Sequence, residues 1–332
     1  MTKHPLVVWP QARAVARLQD KWPISPRKRL YKQQRLGIQT LKAVRSRYFG
    51  GPGPLYLKPK TLLEAVSVLA SSSGQILAGG TDFYPALGER LPAPDVVDIS
   101  SVREMRGISF EPDWIRIGGL TTWTDILRTP LPKCFDAVKS AAREIGSIQI
   151  QNRGTVAGNL CNASPAADGV PPFLVLDAQV ELTSATETRR IPLDQFITGN
   201  RKTARKPGEL LTSVLVPRTA DVAPSTFLKL GARRYLVISI SMVAVVLQAD
   251  NHKRIAQARI AVGSCSAVAR RLTDLEKHLL GLPATAGISQ LVTADHLSPL
   301  SPIDDVRATA SYRRDASLTL VRRALETCAR SL

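Results

Sequence analysis

The chain is poor in the residues that build metal centres and disulfide frameworks. Its four cysteines, Cys134, Cys161, Cys265 and Cys328, stand apart with no C-x-x-C pair among them, which excludes a disulfide scaffold and offers no thiolate set for zinc or an iron–sulfur cluster. The expectation is a chain without metal whose small thiols sit in a reducing cytoplasm. Histidine is equally sparse: His4, His252, His278 and His296 are widely separated in sequence and read as surface residues. No run approaches the roughly 18 to 20 apolar residues that a membrane helix requires, and the start of the chain lacks the apolar core and small-residue cleavage site of a secretory signal. A cytoplasmic protein without membrane insertion is expected.

Acidic side chains are also scarce, 27 Asp and Glu against 45 Lys and Arg, for a formal net charge of +18. Such an excess raises nucleic acid as a partner, because clustered cations release counterions from phosphates. Its distribution argues otherwise. Residues 1–52 hold twelve Lys or Arg against the single acid Asp20, a net +11 that leaves +7 for everything else. Of its aromatic groups only Trp22, Tyr31, Tyr48 and Phe49 come close to the clustered cations, few for stacking on bases. No nucleic-acid partner is expected. Residues 1–53 read as a basic, poorly ordered extension, broken by Pro5, Pro10, Pro23 and Pro26 and periodic only around Leu36–Val44. A tail, a docking segment for an acidic partner, and translated sequence upstream of the true start all remain open for it.

What the sequence does have is core material: 332 residues at 44% apolar content, enough for two or three packed units. Gly50-Gly51-Pro52-Gly53-Pro54 punctuates the chain as a linker, and organised structure is expected from Leu55. Leu62, Leu63, Ala65, Val66 and Leu69 at helical spacing predict a helix over 61–71, with Thr61 as N-cap and Glu64 as its capping-box partner. Short strands are predicted at 75–78, 96–99 and 114–118. Helices are predicted over 124–146, divided by Pro130 and Pro132, then strands at 173–183 and 210–216. The last unit is predicted to hold Phe227–Leu230, the apolar run 236–247, a strand at 256–262, and helices at 268–281 and 313–330. The fold class is α+β, with a middle unit rich in antiparallel strands.

Two segments carry chemistry. Gly79-Gly80-Thr81-Asp82 closes a strand, and residues without Cβ let backbone amides converge on phosphate oxygens. Its spacing matches neither G-x-G-x-x-G nor G-x-x-x-x-G-K-[ST]. The second segment runs from Gln151 through Asp168. Its small residues Gly154, Ala157, Gly158, Ala163, Ser164, Ala166 and Ala167 would admit a flat ligand, while Thr155, Asn159, Ser164 and Asp168 offer polar anchors. It reads as a turn-rich interruption between regular elements.

Taken together, Leu77-Ala78-Gly79-Gly80-Thr81-Asp82, Arg153-Gly154-Thr155-Val156-Ala157-Gly158-Asn159-Leu160 and Ala163-Ser164-Pro165-Ala166-Ala167-Asp168 resemble the paired flavin-binding signature of the molybdenum hydroxylase FAD subunits, the xanthine dehydrogenase and carbon monoxide dehydrogenase type. The resemblance extends through Arg116–Thr122, Leu176-Asp177-Ala178, Phe227–Leu230 and Ser311-Tyr312-Arg313-Arg314, covering about residues 54–330 in order. It implies a PCMH-type FAD-binding fold over 54–219, in two subdomains of about 54–108 and 109–219, followed by a small antiparallel-sheet and helix domain over 224–332. It implies FAD as cofactor. Ile76, Leu77, Ala78, Gly79, Gly80, Thr81, Asp82 and Phe83 would wrap the pyrophosphate, Thr155, Gly158 and Asn159 would complete the cradle, and Asp168, Leu211 and Lys229 would lie at the flavin. No catalytic residue beyond the flavin is implied. A cation near the pyrimidine end would raise the potential of the ring, a role open to Lys229.

The resemblance further implies an electron relay. A 2Fe–2S subunit would deliver electrons from a molybdopterin-binding large subunit, and FAD would pass them to NAD, a quinone or oxygen within a dimer of heterotrimers. The family begins near the position of Leu55, so the basic extension has no counterpart in it. The runner-up is a stand-alone flavoenzyme of the vanillyl-alcohol-oxidase-like fold, which would need acid–base groups converging on the flavin.

Overall fold

Thr61 starts the first helix as its sequence predicts, its Oγ1 accepting the Glu64 amide at 3.2 Å. The Glu64 carboxylate, however, takes the amide of Lys60 at 2.8 Å and not that of Thr61, so the reciprocal half of the capping box is displaced by one residue. The computed structural model describes residues 55–89, 95–285 and 287–332, all within the unit Gly51–Leu332. The basic extension of residues 1–53, with its periodic stretch, lies outside the described residues.

The first layer comprises β1 (Leu55–Leu57), α1 (Leu62–Ser71), β2 (Gln75–Leu77), α2 (Phe83–Leu87) and β3 (Asp95–Asp98). The strands form a parallel sheet in the order β1-β3-β2. Ala65, Val66 and Leu69, one stripe of α1, bury against Val97, Ile99, Val102, Met105 and Leu120.

The middle region begins with β4 (Ile108–Phe110) and β5 (Trp114–Gly118), followed by α3 (Trp123–Arg128), α4 (Asp136–Glu144), α5 (Ile148–Arg153), α6 (Val156–Asn162) and α7 (Val170–Val175). It continues through β6 (Gln179–Thr183), β7 (Thr188–Pro192), α8 (Leu193–Phe196), the small hairpin of β8 (Ile197–Gly199) and β9 (Lys202–Thr203), and β10 (Leu210–Pro217). Its antiparallel sheet has the order β4-β5-β10-β6-β7. Two expectations need correction. The segment 152–168 is not simply turn-rich, since α5 ends in it and α6 is a regular helix within it. The strand expected over 173–183 is confined to β6, and Val170–Val175 is helical instead. Pro171 and Pro172 fall in the first turn of α7, where amides have no intrahelical partner to lose, and all six α7 residues are buried.

The last region contains β11 (Ser225–Leu230), β12 (Ser241–Ala249), β13 (Ile255–Gly263), β14 (Arg270–Arg271), α9 (Thr273–Leu279) and α10 (Ala310–Ala329). Its sheet is antiparallel, order β11-β12-β13-β14. The apolar run expected from 236 becomes strand only at Ser241, and the helix expected from 268 begins at Thr273 because Arg270 and Arg271 pair with β13. The sheet is buried on both faces, which explains why β12 has no polar alternation. Met242, Ala244 and Val246 join the core of the middle region, while Val243, Val245 and Leu247 face the opposite way into the core that includes Leu275 of α9 and Val321 and Leu325 of α10. Each valine, leucine or methionine among them contributes about 1.5–3 kcal/mol on burial. An ion network crosses the join: Asp177 meets Arg259 at 2.6 Å and Arg271 at 2.8 Å, and Arg271 meets Glu276 at 2.5 Å.

Candidate functional site

β2 ends at Leu77, and the chain turns away through Ala78–Asp82 into α2. Gly80 sits at φ +78°, a conformation glycine adopts without strain. Among the described residues, the backbone amides of Gly79, Gly80 and Thr81 donate to no protein acceptor. Three successive free amides around a left-handed residue form a concavity suited to an anion. Gly79 is expected to leave room for phosphate, but the nearest neighbour to a Cβ there is protein: it would lie 2.0 Å from the Arg153 carbonyl oxygen. The loop therefore packs directly on the Arg153-Gly154 peptide, and the Thr81 hydroxyl lies against Gly154. Asp82 accepts from Arg201 at 3.0 Å, and Arg201 also bonds Asn162, so the β8–β9 turn ties the two motifs together at a second point. Phe83 stands edge-on to Tyr84, with ring centroids 5.3 Å apart.

Thr155 caps α6, its Oγ1 accepting the Gly158 amide at 3.0 Å. The Val156 amide donates to Thr121 O at 2.9 Å, Ala157 to Gly119 O at 3.0 Å, and Asn159 to Thr155 O at 3.0 Å. The first-turn amides of α6 are thus committed to protein, in contrast to those of the Gly79–Thr81 loop. What this segment offers instead is a glycine face at Gly158, where a Cβ would be opposed by Thr155 Oγ1 at 2.8 Å, and the side chain of Asn159. Asn159 Oδ1 is buried and has no hydrogen-bond partner. A buried oxygen left unpaired calls for a partner outside the protein.

Asp168 and Lys229 come together from different regions. Lys229 Nζ lies 2.6 Å from Asp168 Oδ2, with side chains only 6% and 9% exposed, and Ser239 Oγ donates to Asp168 Oδ1 at 2.6 Å. Lys229 also reaches the Glu144 carbonyl at 3.4 Å. The lysine is therefore a buried, neutralised cation. Burial pushes the Asp168 carboxyl above its ordinary range despite the ammonium and hydroxyl that favour its charge. Leu211 is buried at an irregularity between β10 and β6, where Gly119 lacks a Cβ that would stand 2.4 Å from the Leu211 carbonyl.

A cavity of about 1010 Å³ opens beside the junction of the two motifs, lined by Ala78, Gly79, Ser101, Leu120, Arg153 and Thr155, with Lys60, Arg103 and Arg106 adding cationic walls. Sequence reading missed Ser101, Arg103, Arg106, Arg201 and Ser239. None has a local signal, since each acquires its role by loop closure. Of the histidines expected at the surface, His252 and His278 are exposed and His296 is half-buried, and the rings of His278 and His296 lie with centroids 5.3 Å apart. No group of three or more metal-ligating side chains occurs among the described residues, and no helix among them is long and apolar enough to cross a membrane.

A family model for the FAD binding domain in molybdopterin dehydrogenase matches residues 47–219. The chain belongs to the FAD-binding subunits of the molybdenum hydroxylases. A second model, the CO dehydrogenase flavoprotein C-terminal domain, matches residues 226–328. The nicotinate dehydrogenase FAD-subunit of Eubacterium barkeri is 34% identical over 238 residues, 69% of this chain and 80% of that protein. The xanthine dehydrogenase FAD-binding subunit of Escherichia coli O157:H7 is 28% identical, covering 81% of this chain and 94% of that one. A solved chain of carbon monoxide dehydrogenase from Hydrogenophaga pseudoflava superposes with a TM-score of 0.76 at 28% identity, over 84% of this chain and 98% of its own.

As a member of this family the chain is an oxidoreductase subunit with FAD as its cofactor, and the stand-alone flavoenzyme reading is not favoured. Its own residues suit that cofactor: three unpaired amides for the pyrophosphate, a Gly158 face without a side chain, and an unpartnered Asn159 oxygen for a polar edge. The family match begins at residue 47, ahead of the expected start near Leu55.

Proposed function

We propose that this chain is the electron-relay subunit of a multi-subunit molybdenum hydroxylase. FAD, when bound, supplies the redox chemistry, taking electrons from a 2Fe–2S subunit fed by a molybdopterin-binding subunit and giving them to NAD, a quinone or oxygen. The protein's part is to hold and shield the cofactor. In this reading the loop Ile76–Phe83 wraps the pyrophosphate through the amides of Gly79, Gly80 and Thr81, Thr155, Gly158 and Asn159 close the cradle, and Asp168, Leu211 and Lys229 bound the ring end. The observation that carries it is the contrast between committed amides on α6 and free amides on the Gly79–Thr81 loop.

The partner assignment is supported by similarity to the medium chain of carbon monoxide dehydrogenase from Hydrogenophaga pseudoflava, 27% identical over 95% of that protein. We infer a dimer of heterotrimers in the cytoplasm, where the free cysteines Cys134, Cys161, Cys265 and Cys328 stay reduced. An absorption spectrum of the purified chain, followed by acid release and chromatography of the chromophore, tests the cofactor role. Stoichiometric FAD without iron or molybdenum supports the relay reading, and a colourless chain that cannot be reconstituted with FAD overturns it. Co-purification with tagged neighbours tests the assembly. Recovery of only a stable lone monomer counts against the heterotrimer.

A further inference from the structure

Arg313 is an arginine in the middle of a core. It lies on α10 with its side chain only 4% exposed, and it is one of the residues in the closing Ser311–Arg314 motif that the cofactor reading leaves without a task. Its Nη1 donates to the carbonyls of Ile240 at 2.6 Å and Ser264 at 3.1 Å, and its Nη2 to Asp305 Oδ1 at 2.7 Å. Burying a guanidinium is costly unless its partners are fixed. Only its planar fork reaches two carbonyls and a carboxylate at once.

Both carbonyls belong to segments that hold Asp168. Lys229 and Ser239, the two groups bonded to Asp168, are the stems of one loop, and the base of that loop is closed by the Ile240 amide on Leu230 O at 2.7 Å. Arg313 grips this base from behind through Ile240 O. Ser264, its other acceptor, is held at φ +63° and sends its amide to Pro165 O at 3.0 Å, in the segment that leads to Asp168. One side chain therefore fixes the backbone carrying the donors and the backbone carrying the acceptor.

We propose that Arg313 is a positioning residue of the flavin site, setting from the C-terminal helix the contact of Lys229 and Ser239 with Asp168. The inference rests on the reading that Asp168 and Lys229 bound the flavin. Among the described residues, Arg313 itself makes no hydrogen bond to the proposed cofactor contacts.

The test uses the full chain loaded with FAD, in the variants Arg313→Lys, Arg313→Met and Asp305→Ala, with Lys229→Met and Asp168→Asn as references. The readouts are the flavin absorption spectrum, its midpoint potential, the FAD dissociation constant and the melting temperature. Arg313→Met is expected to displace the spectrum and potential in the same sense as Lys229→Met and to weaken FAD by on the order of tenfold, the effect of a lost charge-assisted hydrogen bond. Arg313→Lys should fall between it and the unaltered chain. If Arg313→Met does not fold, Asp305→Ala, at the more accessible end of the network, carries the test and should show a smaller shift in the same sense. A lower melting temperature with spectrum and potential unchanged, while the reference variants shift both, overturns the positioning role alone. No shift in the references removes the reading beneath it, and the proposal falls with that reading.

Discussion

A Cβ on Gly79 would stand 2.0 Å from the carbonyl oxygen of Arg153, and this contact joins two motifs more than seventy residues apart in sequence. The neighbour is backbone, so relief requires the loop and the α5 terminus to separate. Gly79→Ala should therefore both destabilise the FAD-free chain and remove FAD. Gly158→Ala meets only Thr155 Oγ1, which can turn away at the loss of the α6 cap, about 1 kcal/mol, so it should retain the melting temperature better. Thermal unfolding with and without FAD checks the pair. Equal stability of the Gly79 variant and the parent chain would contradict the packing role.

Asn159 gives a cleaner separation of fold from cofactor. Its Oδ1 is buried and unpaired within the protein, so removing it costs the empty fold nothing in hydrogen bonds. Asn159→Leu, similar in shape, should leave the stability of the FAD-free chain within about 0.5 kcal/mol. FAD binding should weaken by about 1–3 kcal/mol. Denaturant titration beside flavin titration decides it, and unchanged FAD affinity would remove Asn159 from the site.

The buried pair of Asp168 and Lys229 predicts strong non-additivity. Lys229→Met alone strands a carboxylate that already carries a desolvation burden, and breaking a buried pair from one side costs about 3–5 kcal/mol. Adding Asp168→Asn removes the stranded charge, so the double variant should recover a substantial part of the loss. A double-mutant cycle in urea measures this. Simple addition of the two losses would mean that the pair is not coupled.

Glycines of the candidate site were legible in the sequence because close backbone approach at Gly79 and a left-handed φ at Gly80 leave a compositional trace. Which amides remain free was not, since it depends on Thr121 and Gly119 reaching the start of α6. The α7 helix was hidden by its own burial: a six-residue segment with no exposed face shows no helical period. Ser239 and Arg201 were invisible for a different reason, as their partners Asp168 and Asp82 lie on distant segments. The long strands of the last region were easier, because β-branched runs such as Val243, Val245 and Val246 announce a buried sheet.

A last prediction concerns pH and the first sheet. Asp98, at the end of β3 beside Leu77, would be raised by its burial, but hydrogen bonds from Ser100, Tyr56 and Lys58 outweigh that and hold it at about 2. The same bond, with burial second, pushes the Tyr56 hydroxyl up to about 12. The carboxyl's folded value lies below its unfolded one, so its contribution is complete above an unfolded value of about 4 and is lost as pH falls toward 2. It amounts to on the order of 1–2 kcal/mol after allowing for the exposure of Lys58. The tyrosine works in the opposite sense: its contribution is complete below about 10 and lost as pH rises toward 12. Tyr56→Phe should therefore flatten the alkaline limb of stability and move the acid limb to higher pH, since Asp98 loses one of the bonds that hold its charge. Urea unfolding of the parent chain and the variant at pH 3, 7 and 11 checks it, and identical profiles would exclude the hydrogen bond as the cause.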